Sequence, residues 1–521
     1  MKILKFSYLF SAACCLILSP LISTAQQWRS YTPMNNPHDI EYYNGAIWGA
    51  TDGGIFRFDI EDSTYKLISR ADGLLGQEFH CLAVETRILN GDSTVNIWSS
   101  GWGAELNIYN TETGVITALT DLNGFADKVE DIAIGEGYIF AASDKGVSQL
   151  YYHEEYGEYL FKGTYSQWGY GGLSENVRCA LVHDGWLWIG LDDGVARAPL
   201  SAPNLVMPNA WETYTTADGL PGNNINGFAV VNDTVWAATY NSGLARFEGD
   251  HFTPVLAIQW IKEMRAFDDT LYAAVLGGVK RFVNNNWQSF SAGSVEYNCI
   301  CRDADGVFWA GKANKWNQYG GLQGRVIDIW LDYPVNAPAA KRISGMIFDE
   351  QGRLWCAATS AVGKGVFIYD YFDWLNFTGQ LPQYANYFYT LGGTGAGPQT
   401  LLEHPNGEIL AGSFGTGLAI FTASGEQHYF NYEDSLSYGN ISRLAGIDAD
   451  QDFVVIGEMA LDDDNNVWLL NREASSDEPL VVIPADFMMD HSANIPWTYY
   501  SVSDLGSGDS RLDYLVRDHM G

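Results

Sequence analysis

Along most of this chain apolar and polar residues alternate for roughly five to eight positions and then give way to Gly, Asn or Asp, the pattern of half-buried strands broken by tight turns. In residues 218–249, "DGLPGNNINGFAVVNDTVWAATYNSGLARFEG", the stretch "INGFAVV" meets "TVWAAT" across the two-residue turn "ND", and "LARFEG" follows a glycine turn. Three such stretches in succession predict an antiparallel meander. No segment sustains a 3.6-residue apolar period, so the pattern predicts an all-β chain.

The same grammar recurs. An aromatic or apolar anchor followed by small residues and a glycine turn stands at Trp48, Trp98, Phe140, Trp188, Trp236, Tyr272, Trp309, Trp355, Leu410 and Trp468. Its spacing of about 36 to 58 residues brackets the period of four-stranded propeller blades. A fourth strand is marked by Trp-x-x-Tyr or Trp-x-x-Phe at Trp211/Tyr214, Trp287/Phe290, Trp330/Tyr333, Trp374/Phe377 and Trp497/Tyr500. A large aromatic repeated at one position is what the wedge between neighbouring sheets needs, so the anchors read as core. Propeller rings usually hold about four to eight blades, fewer than the anchors counted here. The sequence therefore predicts a β-propeller of about seven blades over residues 26–338 and a second ring over 343–521, joined at "YPVNAPAAKR" and incomplete, because "SRLDYLVRDHMG" stops inside a further repeat. Trp28–Tyr31 resemble a last blade strand with no blade before them, the kind of segment that closes a ring by joining its final sheet, although nearly every blade has a candidate fourth strand of its own and no partner for it is evident.

Other features change this picture in limited ways. "MKILKFSYLFSAACCLILSPLISTA", residues 1–25, has the charged start, short apolar run and small-residue end of a secretory leader. A lipoprotein leader at Cys14 or Cys15 fits less well, since apolar residues continue beyond them. No other stretch is long and apolar enough for a membrane helix. With 29 basic against 63 acidic residues the formal charge is −34. That repels phosphate backbones and excludes nucleic acid as the main partner. Cys81, Cys179 and Cys299 share one repeat position, where Gly227 and Gly345 stand in other copies, which reads as a requirement for a small buried residue.

Candidate chemistry is sparse. "DADQD" (448–452) and "DDDNN" (462–466) suggest calcium, but the first lacks the glycine and glutamate an EF-hand needs. The second occupies a repeat turn, where aspartate serves the turn itself. "GGTGAGPQT" (392–400) lacks the lysine and helix of a phosphate cradle and reads as a flexible loop. The histidines have neither metal-ligand spacing nor a nucleophile motif beside them. No catalytic residue, metal or cofactor is predicted. Trp102, in a turn after an anchor, and Trp168 and Tyr170 in "WGYGG" are the candidate ligand contacts: exposed rings there would suit sugars or protein partners, while rings packed under loops would be structural.

"DGLPGNNI", "RDADGVFWAG", "FDEQGRLWCAA", "LDDGVARA" and "DGGIFRFD" resemble the two-component regulator propeller repeat over most of the chain. The opening, through "IWGATDGGIFRFDIEDSTYKLISRADGL", is similar to the start of the PorZ-like propeller proteins of the type IX secretion system. That resemblance implies two propellers, a C-terminal sorting domain and an envelope role without catalysis. Related repeats form the periplasmic sensor regions of hybrid histidine kinases, which recognise oligosaccharides. Neither a sorting domain nor a kinase core occurs within these residues, so three readings stand: an exported, non-catalytic propeller binding an envelope protein or glycan in the periplasm or at the cell surface; the sensing region of a hybrid two-component kinase; or a propeller enzyme of polysaccharide-lyase or lactonase type.

Overall fold

The computed structural model describes residues 30–89, 91–255, 258–291, 294–315, 318–359, 365–378, 397–422, 427–430, 444–447, 453–491, 495–507, 511–512 and 514–515. The leader region, "DADQD" and most of the last repeat lie outside these. Seven separate four-stranded antiparallel sheets follow one another, spanning residues 37–68, 79–119, 129–165, 177–214, 225–254, 261–289 and 297–333 (blades 1 to 7). Each takes its strands from one continuous stretch and pairs them in chain order. The first strand of each blade packs on the first strand of the next, and that of blade 7, Tyr297–Arg302, packs on that of blade 1, Pro37–Tyr43. The sheets therefore close into a ring. Three further sheets, over residues 345–378, 397–430 and 454–500 (blades 8 to 10), stack in the same sense, the last two also joined by a short pairing of Phe414 and Gly415 with Val455 and Val454. The one α-helix among the described residues is Ala485–Met489.

The anchors form the wedges. Each of seven reaches an aromatic ring of the following blade: Trp48 meets Tyr109 at 5.1 Å, Trp98 meets Tyr159 at 4.7 Å, and Trp188 meets Phe247 at 4.9 Å. Trp236 meets Phe282 at 5.8 Å, Tyr272 meets Phe308 at 4.6 Å, and Trp355 meets Phe421 at 5.5 Å. Trp309 of blade 7 meets Phe58 of blade 1 at 5.5 Å, sealing the ring. Tyr272 and Trp468 are half-buried and the other anchors buried. Three indoles are also tied to the preceding turn, Trp309 Nε1 donating to Asp303, Trp355 to Asp349 and Trp468 to Asp462. Asp462 in addition accepts the Asp464 and Asn466 N–H groups, so "DDDNN" performs the turn chemistry read from the sequence.

"DGLP" has an equally local cause. Thr215 and Asp218 form a capping box around a single 3-10 turn, which Gly219 ends at φ 96°. A Cβ on Gly219 would stand 1.8 Å from the Phe252 carbonyl oxygen, whereas at the equivalent Gly73, φ 112°, the nearest atoms are 3.9 Å away. Gly219→Ala is therefore expected to lower stability by about 3 kcal/mol and Gly73→Ala by about 1 kcal/mol, the second paying for φ alone. Parallel urea titrations check the difference, and equal losses would refute it.

One expectation is narrowed and one corrected. Blade 7 has its own fourth strand, Ile329–Tyr333, and among the described residues the ring closes by side-chain packing; of the segment 28–31, Trp28 and Arg29 lie outside the described set. Tyr31 packs on Tyr369 and Trp374 of blade 8, at 4.6 and 5.5 Å. Gly397–Glu403 is a strand, so the part of "GGTGAGPQT" from Gly397 to Thr400 is not loop; residues 392–396 lie outside the described set. The stretch "YPVNAPAAKR" is firmly docked. Val335 and Ala337 are buried with Met34, Ala339 and Ala340 pack on Cys356 and Phe367 of blade 8, and Asn336 bonds Asp373 and the Trp374 N–H.

Candidate functional site at the mouth of the first ring

Each inner strand of the ring opens with the same irregularity. The residue after its first ladder pair bulges out, so that His38, His80, Glu130, Arg178, Asn226, Lys262 and Asn298 skip the pairing and line one end of the central channel. One polar side chain per blade thus builds a collar.

The collar is stitched sideways, blade to blade. The His38 and His80 rings meet edge-on at 5.1 Å, and His80 Nδ1 lies 3.8 Å from Glu130, which is also paired with Lys128. Arg178 donates to Asn226 at 3.0 Å, and Asn226 donates to the Ile261 and Lys262 carbonyls at 2.7 and 2.9 Å. Asn298 donates to the Pro37 carbonyl at 2.9 Å, carrying the stitching across the seam between blades 7 and 1. His38 also bonds Asp52 at 2.7 Å, and Lys341, from the segment after blade 7, bridges Asp52 and Glu78 at 3.1 and 2.9 Å. Burial would raise the Asp52 carboxyl, but the His38 hydrogen bond, with the His38 and Lys341 charges, brings it down to about 2. Glu130 behaves alike: burial opposes, and bonds from His80 and Lys128 take it to about 2.

One residue deeper lies a second rung: Asp39, Cys81, Asp131, Cys179, Gly227, Glu263 and Cys299. Each carboxylate reaches over the small residue of the next blade to accept the N–H that follows it. Asp39 accepts from Leu82 at 2.7 Å, Asp131 from Ala180 at 2.9 Å, and Glu263 from Ile300 at 2.6 Å. The cysteines are therefore small for a reason beyond packing, since their slot is crossed by a neighbour's carboxylate. Burial raises their thiols well above the usual range, which keeps them unreactive. Burial also raises Asp39 and Glu263, and pushes Asp131 up to about 6.

Arg265 holds this rung together where the ring closes. Its guanidinium bonds Glu263 on its own blade at 2.7 Å, and Asp39 and Glu41 on blade 1 at 2.9 and 2.6 Å. Blade 7 lies between, and Cys299 and Cys301 there leave the way clear. Burial alone would lower the Arg265 pKa, but the Glu263, Glu41 and Asp39 charges outweigh it and raise it.

The three candidate contacts separate. Trp102 is 51 % exposed beside the collar, its ring 6.0 Å from that of His80 and 5.6 Å from Lys128 Nζ. Trp168 is 2 % exposed, its ring set edge-on to Trp211 at 4.7 Å and its Nε1 donating to the Ser174 carbonyl, so it belongs to the core. Tyr170 is 85 % exposed in the connection between blades 3 and 4; neither it nor Trp102 is among the residues lining the channel itself. Tyr240 and Trp260, both exposed, were missed by sequence reasoning. Trp260 precedes an inner strand at φ 54°, a backbone that a bulky residue seldom adopts.

No family model matches the chain, and no curated protein matches it by sequence. Among solved structures it is similar to PorZ, an essential bacterial surface component of the type IX secretion system of Porphyromonas gingivalis, with TM-score 0.66 and 16 % identity over 91 % of this chain and 60 % of that one. It thus spans about 60 % of the length of that structure. Weaker likenesses are to the extracellular domain of the BT4673 hybrid two-component system of B. thetaiotaomicron (TM-score 0.41, 12 % identity, 96 % of this chain and 63 % of that one) and to the RRP9 WD40 repeats (TM-score 0.41, 12 % identity, 55 % and 89 %). At such identity the likeness to PorZ establishes the propeller fold.

Proposed function

We propose that this chain is an exported, non-catalytic binding propeller of the cell envelope, and that the mouth of its first ring engages a glycan or a surface protein. The collar carries the reading: seven blades each contribute one polar side chain to the same end of the channel, with an open indole, Trp102, beside them. An aromatic face flanked by His80, Lys128 and Glu130 has the chemistry of a sugar platform and serves a protein loop as well. The carboxylates below are engaged with backbone N–H groups and with Arg265, a scaffold role that supports binding without turnover. The leader-like opening and the fold shared with a bacterial surface component support an envelope location. Blades 8 to 10 belong, in this reading, to a second ring.

Binding of the chain to a panel of purified bacterial polysaccharides and outer-membrane proteins tests the proposal. Trp102→Ala is expected to weaken the tightest hit about tenfold, the scale of one lost aromatic contact. Retention of neither class, or equal binding by the variant, would defeat it.

A further inference from the structure

Below the collar the channel changes character. On blades 2 to 5 it is lined by Ala83, Ala133, Leu181 and Ala229, and one residue deeper by Val84, Ile134, Val182 and Val230. The last four are only half-buried, although their strands belong to the innermost layer of the ring. The other side of the lumen, formed by blades 6, 7 and 1, carries Arg265 with Glu263, Asp39 and Glu41. A largely aliphatic wall, with Asp131 at its upper edge, thus faces the Arg265 cluster, beside which Met264, Ala266 and Phe267 also line the lumen; the channel measures about 1010 Å³ with its collar included. Water against such an apolar wall gains little, and its displacement by hydrocarbon is favourable. The charged wall is selective in its own way. An anionic group that reached this rung would find the Arg265 guanidinium already engaged by Glu263, Asp39 and Glu41, which disfavours an anionic guest.

We propose that this channel binds a single-chain amphiphile with an uncharged or cationic head, its alkyl chain lying along the apolar wall of blades 2 to 5 and its head held at the collar. With Leu82, Ile132, Ala180 and Phe228 just above them, three strand residues per blade at about 3.3 Å each give the wall a depth of about 10 Å, which suits a chain of medium length. The volume falls in the range of small-molecule sites. The collar amides and imidazoles supply the hydrogen bonds that a hydroxylated head requires. This inference concerns the lumen beneath the mouth and does not depend on Trp102.

Titration calorimetry of the full chain with n-alkyl β-glucosides from hexyl to decyl, each below its micelle concentration, tests it. Affinity is expected to rise about fourfold per added methylene until the wall is covered. An alkyl carboxylate of equal length is expected to bind at least tenfold more weakly. Ala133→Phe, which narrows the lumen, is expected to reduce octyl glucoside affinity more than tenfold. Val230→Thr, nearly isosteric, guards against a folding defect and is expected to reduce it about threefold. Trp102→Ala is expected to leave the gain per methylene unchanged even where it weakens the hold on the glucose head, so loss of polysaccharide or protein binding in that variant with the chain-length dependence intact separates the two proposals. Affinity independent of chain length, or indifferent to both channel substitutions, overturns this one.

Discussion

Arg265→Met is expected to destabilise the protein by about 3 kcal/mol at neutral pH, because it leaves Asp39, Glu41 and Glu263 facing one another with no cation. The side chains are similar in length, so packing changes little and the loss reports charge. Arg265→Lys is expected to recover only part of it, since one ammonium cannot reproduce three directed N–H bonds to carboxylates on two blades. The acid dependence has a definite sign. Asp39 and Glu263 already sit above the ordinary carboxylate range through burial, and losing the guanidinium moves them further in the same direction. A carboxyl whose folded pKa exceeds its unfolded pKa adds stability below the unfolded value and loses it as pH rises through the folded one. The deficit of Arg265→Met should therefore be largest near pH 7.5 and shrink toward pH 4.5. Urea unfolding at both values checks this. A deficit below about 1 kcal/mol, or one that ignores pH, would mean that the ring closes without its charge cluster.

Trp98→Ala is expected to cost about 4 kcal/mol, toward the upper end for buried aromatic truncations. Trp98 is 0 % exposed, wedged between blades 2 and 3 against Tyr159, and its Nε1 donates to the buried Glu85 at 2.9 Å. Removing it leaves a cavity and strips one donor from a carboxylate that keeps Asn96 and Tyr159. Trp468→Ala is expected to cost about half as much, because Trp468 is half-buried and stacks on Tyr500 of its own blade. Thermal melts of the two variants provide the comparison. Equal shifts would show that the indoles do not act as wedges between blades.

The strands, the period and the wedge residues were legible because they rest on local rules, alternation for strands and a bulky residue at each wedge. The Trp-x-x-Tyr and Trp-x-x-Phe pairs fall at the fourth strands for the same reason. The carboxylate rung was half legible. Aligning "NNPHDI", "DKVEDI" and "QWIKEM" with "QEFHCL", "ENVRCA" and "VEYNCI" puts acids and cysteines in one slot, yet in sequence the cysteines read only as small residues and the acids as ordinary polar positions. Why acid and thiol alternate becomes visible once each carboxylate is seen to cross to the next blade. The Arg265 cluster could not be read, because it joins residues more than 220 positions apart, brought together only by ring closure. Trp102 and Trp168 look alike in sequence, each beside glycines. They differ because the chain after Trp168 folds back so that the Ser174 carbonyl caps its indole.

Every blade of the first ring takes its four strands from one unbroken stretch of chain, and among the described residues no strand is traded across the seam. A gene that gains or loses one whole repeat would leave each surviving sheet intact, with only the wedge angles and the charges at the junction left to readjust. Tandem duplication can then change the size of such a ring in one step. Rings that split a sheet between the two ends of the gene have no comparably simple path.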